Sequence, residues 1–439
     1  TECGCDVPFV FDEDIQRVLY SERYGYGYRF NPQIENPPIV VSNGMESDEY
    51  YTYYEVIFAD SYFSSLGGSL GSSIRSMKIK VDSLGNYSLD ETRILFGKKF
   101  TGSGSIATEN NLWGDQICFD YASAINLDNN EIVNGYPVMY FCTFGGAICR
   151  AVRERDTQCN EMANWKIYRI GGEKNVLAGG TQLYGMKTWK IDENGNPTFL
   201  VVDNDLTQVK IFYMSTQGSR NDSANWSVEN IFVLGGANAN IQVFGDRIYA
   251  MGLNQITCYP YIGTDVISEL ITTSNYTTGD HNLTSGGVVT PNVYTDGAGD
   301  LATVDQPLSM WKDGNKYYFS NARDGSNPRG SYIRYFEFNG EAPPTRPQDY
   351  TFYTEIPPNT NSNLIGGTWV AGVSSTLSGE TFGMVYIAGI GWLSIYEYGF
   401  RVFNFTTKVC SVFSGQATSG GNLVTVNPIM DSQWTYNVS

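Results

Sequence analysis

The chain carries one histidine, His281, in Asp280-His281-Asn282. A Ser-His-Asp hydrolase needs a histidine to move the nucleophile's proton and a separate acid to orient its ring. Asp280 is the adjacent residue and is badly placed to sit behind the imidazole, and the surroundings are polar. His281 therefore reads as an exposed loop residue. A single histidine also excludes a histidine-rich transition-metal site. The chain contains no GxGxxG or GKS/T phosphate loop, so nucleotide chemistry is not expected. Among 46 acidic residues a catalytic carboxylate pair stays open, but the spacing selects none.

Oxygen-rich loops are the next candidates. Asp192-Glu193-Asn194-Gly195-Asn196-Pro197-Thr198 places oxygen side chains at alternate positions, as a calcium loop does. Pro197 stands where an EF-hand needs glycine, and Asp203 where it needs glutamate. A hairpin turn at Asn194-Gly195 is the favoured reading. Asp296-Gly-Ala-Gly-Asp300 with Asp305 is the better calcium candidate, because its glycines let carbonyls and carboxylates converge. A solvated acidic loop is the simpler account. Ser219-Arg-Asn221-Asp222-Ser223-Ala-Asn-Trp226 resembles the Asp-box turn of sialidase propellers. Asn221 stands where that motif has aspartate and Ser223 where it has glycine, so the resemblance implies at most a turn, and an Asp-box is a structural element that does not itself imply hydrolysis. The dense arginine group is Arg150, Arg153 and Arg155.

Eight cysteines lack a paired CxxC zinc pattern. Cys118 and Cys142 flank a turn expected near Asp128-Asn-Asn130, which suits a cross-strand disulfide. Cys149 and Cys159 bracket a charged stretch read as a loop and suit a staple. Cys3 and Cys5 are expected to tie the amino terminus to Cys258 or Cys410. Buried thiols are the alternative. Asn-X-Ser/Thr sequons at Asn86, Asn221, Asn225, Asn275, Asn282 and Asn404 are candidate glycosylation sites. Composition alone yields a comparable number by chance.

The elements that must position these residues repeat along the chain. Tyr54–Phe58 precedes Met77–Val81, and Val138–Cys142 precedes Trp165–Tyr168. Thr198–Val202 precedes Val209–Tyr213, and Arg247–Met251 precedes Gln255–Tyr259. Lys316–Phe319 precedes Tyr332–Phe338, and Met384–Ala388 precedes Leu393–Tyr396. Each pair reads as strand, connection, strand. Repetition of such units predicts an all-β fold, a β-propeller of six or seven blades. Residues 1–48 form an extended leader and 49–439 the propeller. Within the leader Tyr24, Tyr26, Tyr28 and Phe30 share one strand face, and that face suits pairing with a neighbouring subunit. Alternatively the leader and the terminal strands, Leu423–Val426 and Gln433–Tyr436, complete a last blade and close the ring. Segments 61–76, 144–164 and 268–306 read as long loops. Helical signals are sparse; Val266–Ile271 is the best of them.

Composition bounds the partners. Hydrophobic residues are 41%, aromatic 14% and charged 17%, with 31 tyrosines and 8 tryptophans, which is a folded and β-rich balance. A net charge of −18 disfavours nucleic acid and anionic membrane surfaces. No apolar run is long enough to span a bilayer as a helix. The opening Thr1-Glu-Cys-Gly-Cys5 has no leader pattern, so a secreted form would already have lost its signal peptide. The combined expectation is a secreted glycoprotein that binds or self-assembles, such as an extracellular fibre, coat or adhesion subunit. Its expected partners are itself, another extracellular protein or a glycan. Calcium is the one cofactor to consider. A lectin-like propeller with sugar pockets between blades, or a propeller glycosidase or lyase, are the other readings.

Overall fold

A computed structural model of the chain describes residues 16–19, 40–42, 50–64, 68–97, 122–143, 147–155, 164–172, 183–203, 208–233, 240–252, 255–276, 283–284, 295–304, 307–321, 333–340, 344, 346–356, 370–371, 381–396, 399–419 and 422–426. Their strands form six sheets arranged as the blades of a β-propeller.

The first blade holds β1 (Gln16–Leu19), β2 (Val40–Ser42), β3 (Tyr51–Ser64), β4 (Gly68–Asp82) and β5 (Tyr87–Gly97), in the order β2-β1-β3-β4-β5. The second holds β6 (Ala122–Val133), β7 (Tyr136–Thr143), β8 (Ala147–Arg153) and β9 (Trp165–Gly172). The third holds β10 (Leu183–Ile191), β11 (Pro197–Asp203), β12 (Gln208–Met214) and β13 (Trp226–Val233). The fourth is β14 (Asn240–Phe244), β15 (Arg247–Met251) and β16 (Ile256–Pro260), followed by a one-turn helix α1 (Ile267–Leu270). The fifth holds β17 (Gly297–Ala298), β18 (Pro307–Asp313), β19 (Lys316–Asn321), β20 (Ile333–Phe338) and β21 (Tyr350–Ile356). The sixth holds β22 (Val370–Ala371), β23 (Thr381–Ile387), β24 (Gly391–Tyr396), β25 (Gly399–Asn404), β26 (Val409–Ser419) and β27 (Asn422–Val426).

Successive strands are antiparallel hairpins, and each blade turns both faces toward a neighbour. Six apolar cores follow, one in each seam. Ile57 and Phe96 pack with Phe141 and Trp165 between the first and second blades. Tyr140 and Phe212 share the next seam, and Trp189 and Tyr259 the third. Tyr249 packs with Phe336 between the fourth and fifth blades, and Trp311 with Trp392 between the fifth and sixth. The ring closes where Phe58 meets Phe400 edge-on at 5.0 Å in the core shared by the first and sixth blades. Trp165, Trp189, Trp226, Trp311 and Trp392 are all buried in these seams.

Sheets that touch only through side chains cannot share backbone hydrogen bonds, and polar side chains bridge several seams. The Asn126 amide on β6 donates to the Met186 carbonyl at 3.0 Å and accepts from the Thr188 N–H at 2.9 Å, both on β10. Gln242 on β14 donates to the Met310 carbonyl on β18 at 2.8 Å. Tyr136 on β7 donates its hydroxyl to Glu55 on β3.

Several expectations are corrected. The hairpin between β6 and β7 turns at Asn134-Gly135, both at positive φ, and not at 128–130. The register sets Cys142 opposite Ser123. Residues 147–153 are the buried strand β8 and not a charged loop, and 61–64 and 68–76 continue the paired strands β3 and β4. Val138–Cys142 and Trp165–Tyr168 belong to one blade but have β8 between them. Cys142, Cys149, Cys258 and Cys410 are buried thiols and carry no disulfide. Cys142 and Cys149 face opposite seams, and burial raises the Cys258 and Cys410 thiols to about 12. A dry seam treats such thiols as small apolar groups. Cys3, Cys5, Cys118 and Cys159 lie outside the described residues, as do Tyr24, Tyr26, Tyr28 and Phe30. From the leader, β1 runs parallel to β3 and touches β6 and β23. β27 pairs with β26.

Candidate functional site between the fifth and sixth blades

Of the dense arginine group, Arg150 faces the seam between the second and third blades, Arg153 lies over Tyr136 on the opposite face of β8, and Arg155 is exposed. Arg150 on β8 donates from Nε to the Tyr140 hydroxyl at 3.1 Å and from its two terminal nitrogens to Asn221 and Glu131. Arg220 donates to Glu131 at 2.9 Å, Asp128 at 3.4 Å, Asn196 at 3.2 Å and the Gly195 carbonyl at 2.9 Å. Burial tends to raise the Glu131 carboxyl, but the two guanidinium groups outweigh it and hold the carboxyl below its ordinary range. Burial dominates at Asp128 and raises it, against the Asn130 N–H and Arg220. Every charge here meets an opposite one, as a structural clamp requires. The segment resembling an Asp-box is the turn beside this clamp. Asp222 caps it by accepting from the Ala224 N–H at 3.0 Å, and Trp226 donates to the Arg220 carbonyl at 3.0 Å.

The calcium candidates are placed differently from one another. Asp296 accepts from Arg334 at 2.9 and 3.2 Å, which engages its carboxylate with a buried guanidinium. Asp300 is exposed, and Asp305 lies outside the described residues. Among the described residues no group of three His, Cys, Asp or Glu side chains could hold a metal ion. Asp192 holds the β10–β11 turn through the N–H groups of Asn194 (2.9 Å) and Asn196 (2.7 Å), with Gly195 at φ +80°. It is a turn residue, as the Asn-Gly signal implies.

The sequons among the described residues lie at or beside surface turns. Asn86 donates its amide to Asp82 at 2.8 Å. Asn225 donates to the Ser219 carbonyl at 3.0 Å and Asn275 to the Glu269 carbonyl at 3.1 Å. Asn221 accepts from Arg150, while Asn404 accepts from the N–H groups of Thr406 and Thr407. Asn282 and His281 lie outside the described residues.

A different set of groups converges on the seam between the fifth and sixth blades. Directly opposed strand residues project to the same side. On the fifth blade one row crosses Trp311, Tyr318, Tyr335 and Tyr353. The adjacent row crosses Ser309, Ser320, Ile333 and Ile356. Trp311, Tyr318, Ile333 and Ile356 all enter the core shared with the sixth blade, so Ser309 and Ser320 face the same way. On the sixth blade Met384, Ser394 and Arg401 are opposed in turn. Met384 and Phe403 lie in that core, which turns Ser394 and Arg401 toward the fifth blade.

This layer is buried: Ser320, Ser394 and Arg401 are 0% exposed, and Ser309 and Trp311 are 1% exposed. Ser309 Oγ, Ser320 Oγ and Trp311 Nε1 have no hydrogen-bond partner among the described residues. Beside them is a floor of rings, with Trp311 stacked on Tyr318 at 5.6 Å and 8° and tilted against Trp392 at 6.3 Å and 46°. Burial raises the Tyr318 phenol, aided by the negative charge of Glu355, and Cys410 stays a thiol. The layer therefore offers neutral donors and acceptors, one guanidinium and an aromatic floor. That is equipment for holding a polar molecule, with no activated nucleophile among the described residues. Serines carry no pattern of their own in a sequence; only the strand register brings these together.

No protein-family model and no curated protein matches the chain. Solved structures similar to it include a putative 6-phosphogluconolactonase from Bacteroides uniformis, at 12% identity over 92% of this chain and 92% of that one, with a TM-score of 0.35. An exo-β-1,3-galactanase from Phanerochaete chrysosporium is 12% identical over 82% of this chain and 74% of that one, with a TM-score of 0.32. An α-L-arabinofuranosidase from Lactobacillus brevis is 10% identical over 61% of this chain and 80% of that one, with a TM-score of 0.32. Likeness of this degree does not bear on chemistry.

Proposed function

We propose that the protein is a carbohydrate-binding propeller and that the seam between its fifth and sixth blades takes the sugar. One observation carries this: three polar atoms, on Ser309, Ser320 and Trp311, are buried without partners in one layer beside stacked rings. Leaving a buried donor or acceptor unsatisfied costs about 1–3 kcal/mol. A polyhydroxylated ligand supplies both donors and acceptors to such groups, and its C–H face lies well on an aromatic ring. Trapped water is the competing occupant. An extracellular setting, expected from the sequons, belongs to the same proposal.

A glycan array followed by calorimetry on the S309A/S320A double variant tests it. The wild type is expected to bind a defined set of glycans. The variant is expected to bind them at least about tenfold more weakly while melting no lower than the wild type, because it loses two unsatisfied hydroxyls. An empty array, or equal affinity in the variant, contradicts the proposal.

A further inference from the structure

We infer that the first blade carries a strand-acceptor slot between β2 and β3, and that a second copy of this chain fills it by donating its own β1. Copies then link head to tail, whether or not the ring also takes a sugar. The strands that touch from blade to blade around the rest of the ring are β6, β10, β14, β18 and β23. In each of those blades the inner strand pairs directly with the next strand of the chain. The first blade departs from this. Its β2 and β3 are consecutive and, because β1 runs antiparallel to β2 and parallel to β3, they oppose each other in direction as a hairpin would. β1 is wedged between them. Val18 stands opposite Val40 on one side and Val56 on the other, and β1 reaches β6 and β23 in the place an inner strand takes.

A wedged strand is held by main-chain hydrogen bonds on both edges, and those bonds are the same whichever copy supplies it. Exchange of an identical element between copies therefore costs little. Two features favour the second copy. Residues 20–39, which join β1 to β2, extend to roughly 65 Å at most. That is several times the ~17–20 Å of a usual strand, so a β1 that leaves its own ring reaches a neighbour's. The same residues carry Tyr24, Tyr26, Tyr28 and Phe30 at alternate positions. Alternation of this kind suits a strand that buries one face. A hairpin loop between β1 and β2 has no need of such a face; a segment running between two rings does. Each ring then offers one donor and one slot, and a head-to-tail contact of that type builds larger rings or filaments.

The test is light scattering and electron microscopy of the full chain over a concentration series, alone and with an excess of a synthetic peptide of residues 12–22, which spans β1. The wild type is expected to form assemblies that grow with concentration, and the peptide to fill the slots and shrink them. Val18→Pro removes an N–H from the wedge and is expected to raise the concentration at which assembly begins by at least about tenfold. If that variant does not fold, the peptide competition on the wild type stands by itself. A wild type that stays monomeric at every concentration overturns the assignment to a second copy, even if it binds the peptide. Assemblies that excess peptide leaves unchanged overturn the slot as their point of contact.

Discussion

Arg150 shows how much one side chain can hold. It joins Tyr140, Asn221 and Glu131 across two blades. Arg150→Met removes the bonds to Tyr140, Asn221 and Glu131, leaves Glu131 with Arg220 as its guanidinium partner, and is expected to cost about 1–3 kcal/mol in chemical denaturation. The two carboxylates beside it respond oppositely to acid. Glu131 is held low, so it contributes stability above the ordinary glutamate range, near about 4.3, and that contribution fades as pH falls through its folded value. Asp128 is held high, so its ionised form costs stability above its folded value, and acid relieves that cost. Glu131→Gln is therefore expected to flatten the loss of melting temperature below pH 5, and Asp128→Asn is not. At this scale the sequence is a poor guide. Arg150 and Arg153 make 147–153 look like a charged loop, yet Arg153 donates to the Asn134 carbonyl at 2.8 Å and receives the Asn134 amide at 2.7 Å. Partners from the facing hairpin turn two charges into core residues.

At the scale of elements, the strand pairs are legible because period-two alternation of aromatic and β-branched residues has few other solutions. Turn chemistry is legible where a glycine must take positive φ, as at Asn194-Gly195, whereas the polar cluster Asp128-Asn-Asn130 points away from the actual turn at Asn134-Gly135. What alternation does not reveal is how neighbouring sheets are joined. Asn126 and Gln242 do this by bonding to backbone groups of the next inner strand. Removing either amide strands backbone groups in a seam. Asn126→Ala and Gln242→Ala are each expected to cost about 1–3 kcal/mol in urea titrations. The two lie in different seams, so the double variant is expected to lose the sum within about 0.5 kcal/mol. A marked departure from additivity would show that the seams are coupled through the ring. The serine layer illustrates the same limit. Ser309 and Ser320 are opposed only through the register of β18 and β19, and Ser394 faces the same seam only through its place opposite Met384.

The whole molecule is a ring of six blades whose stability depends on its closing seam. The first and sixth blades meet through Phe58, Met77, Leu393 and Phe400, and β1 of the leader touches β6 and β23 on either side. Phe400→Ala opens that core and is expected to cost about 3–5 kcal/mol. Hydrogen exchange should locate the loss in the first and sixth blades ahead of the third. The seam between the fifth and sixth blades differs from the closing one because its apolar core is interrupted by a polar layer, and this interruption carries the functional account. Its most direct test is a crystal structure of the chain with the strongest glycan from the array. The account predicts a sugar in that seam with Ser309 Oγ, Ser320 Oγ and Trp311 Nε1 at about 2.7–3.2 Å from its hydroxyls. Ordered water on all three atoms, with the sugar bound elsewhere on the ring, would contradict it.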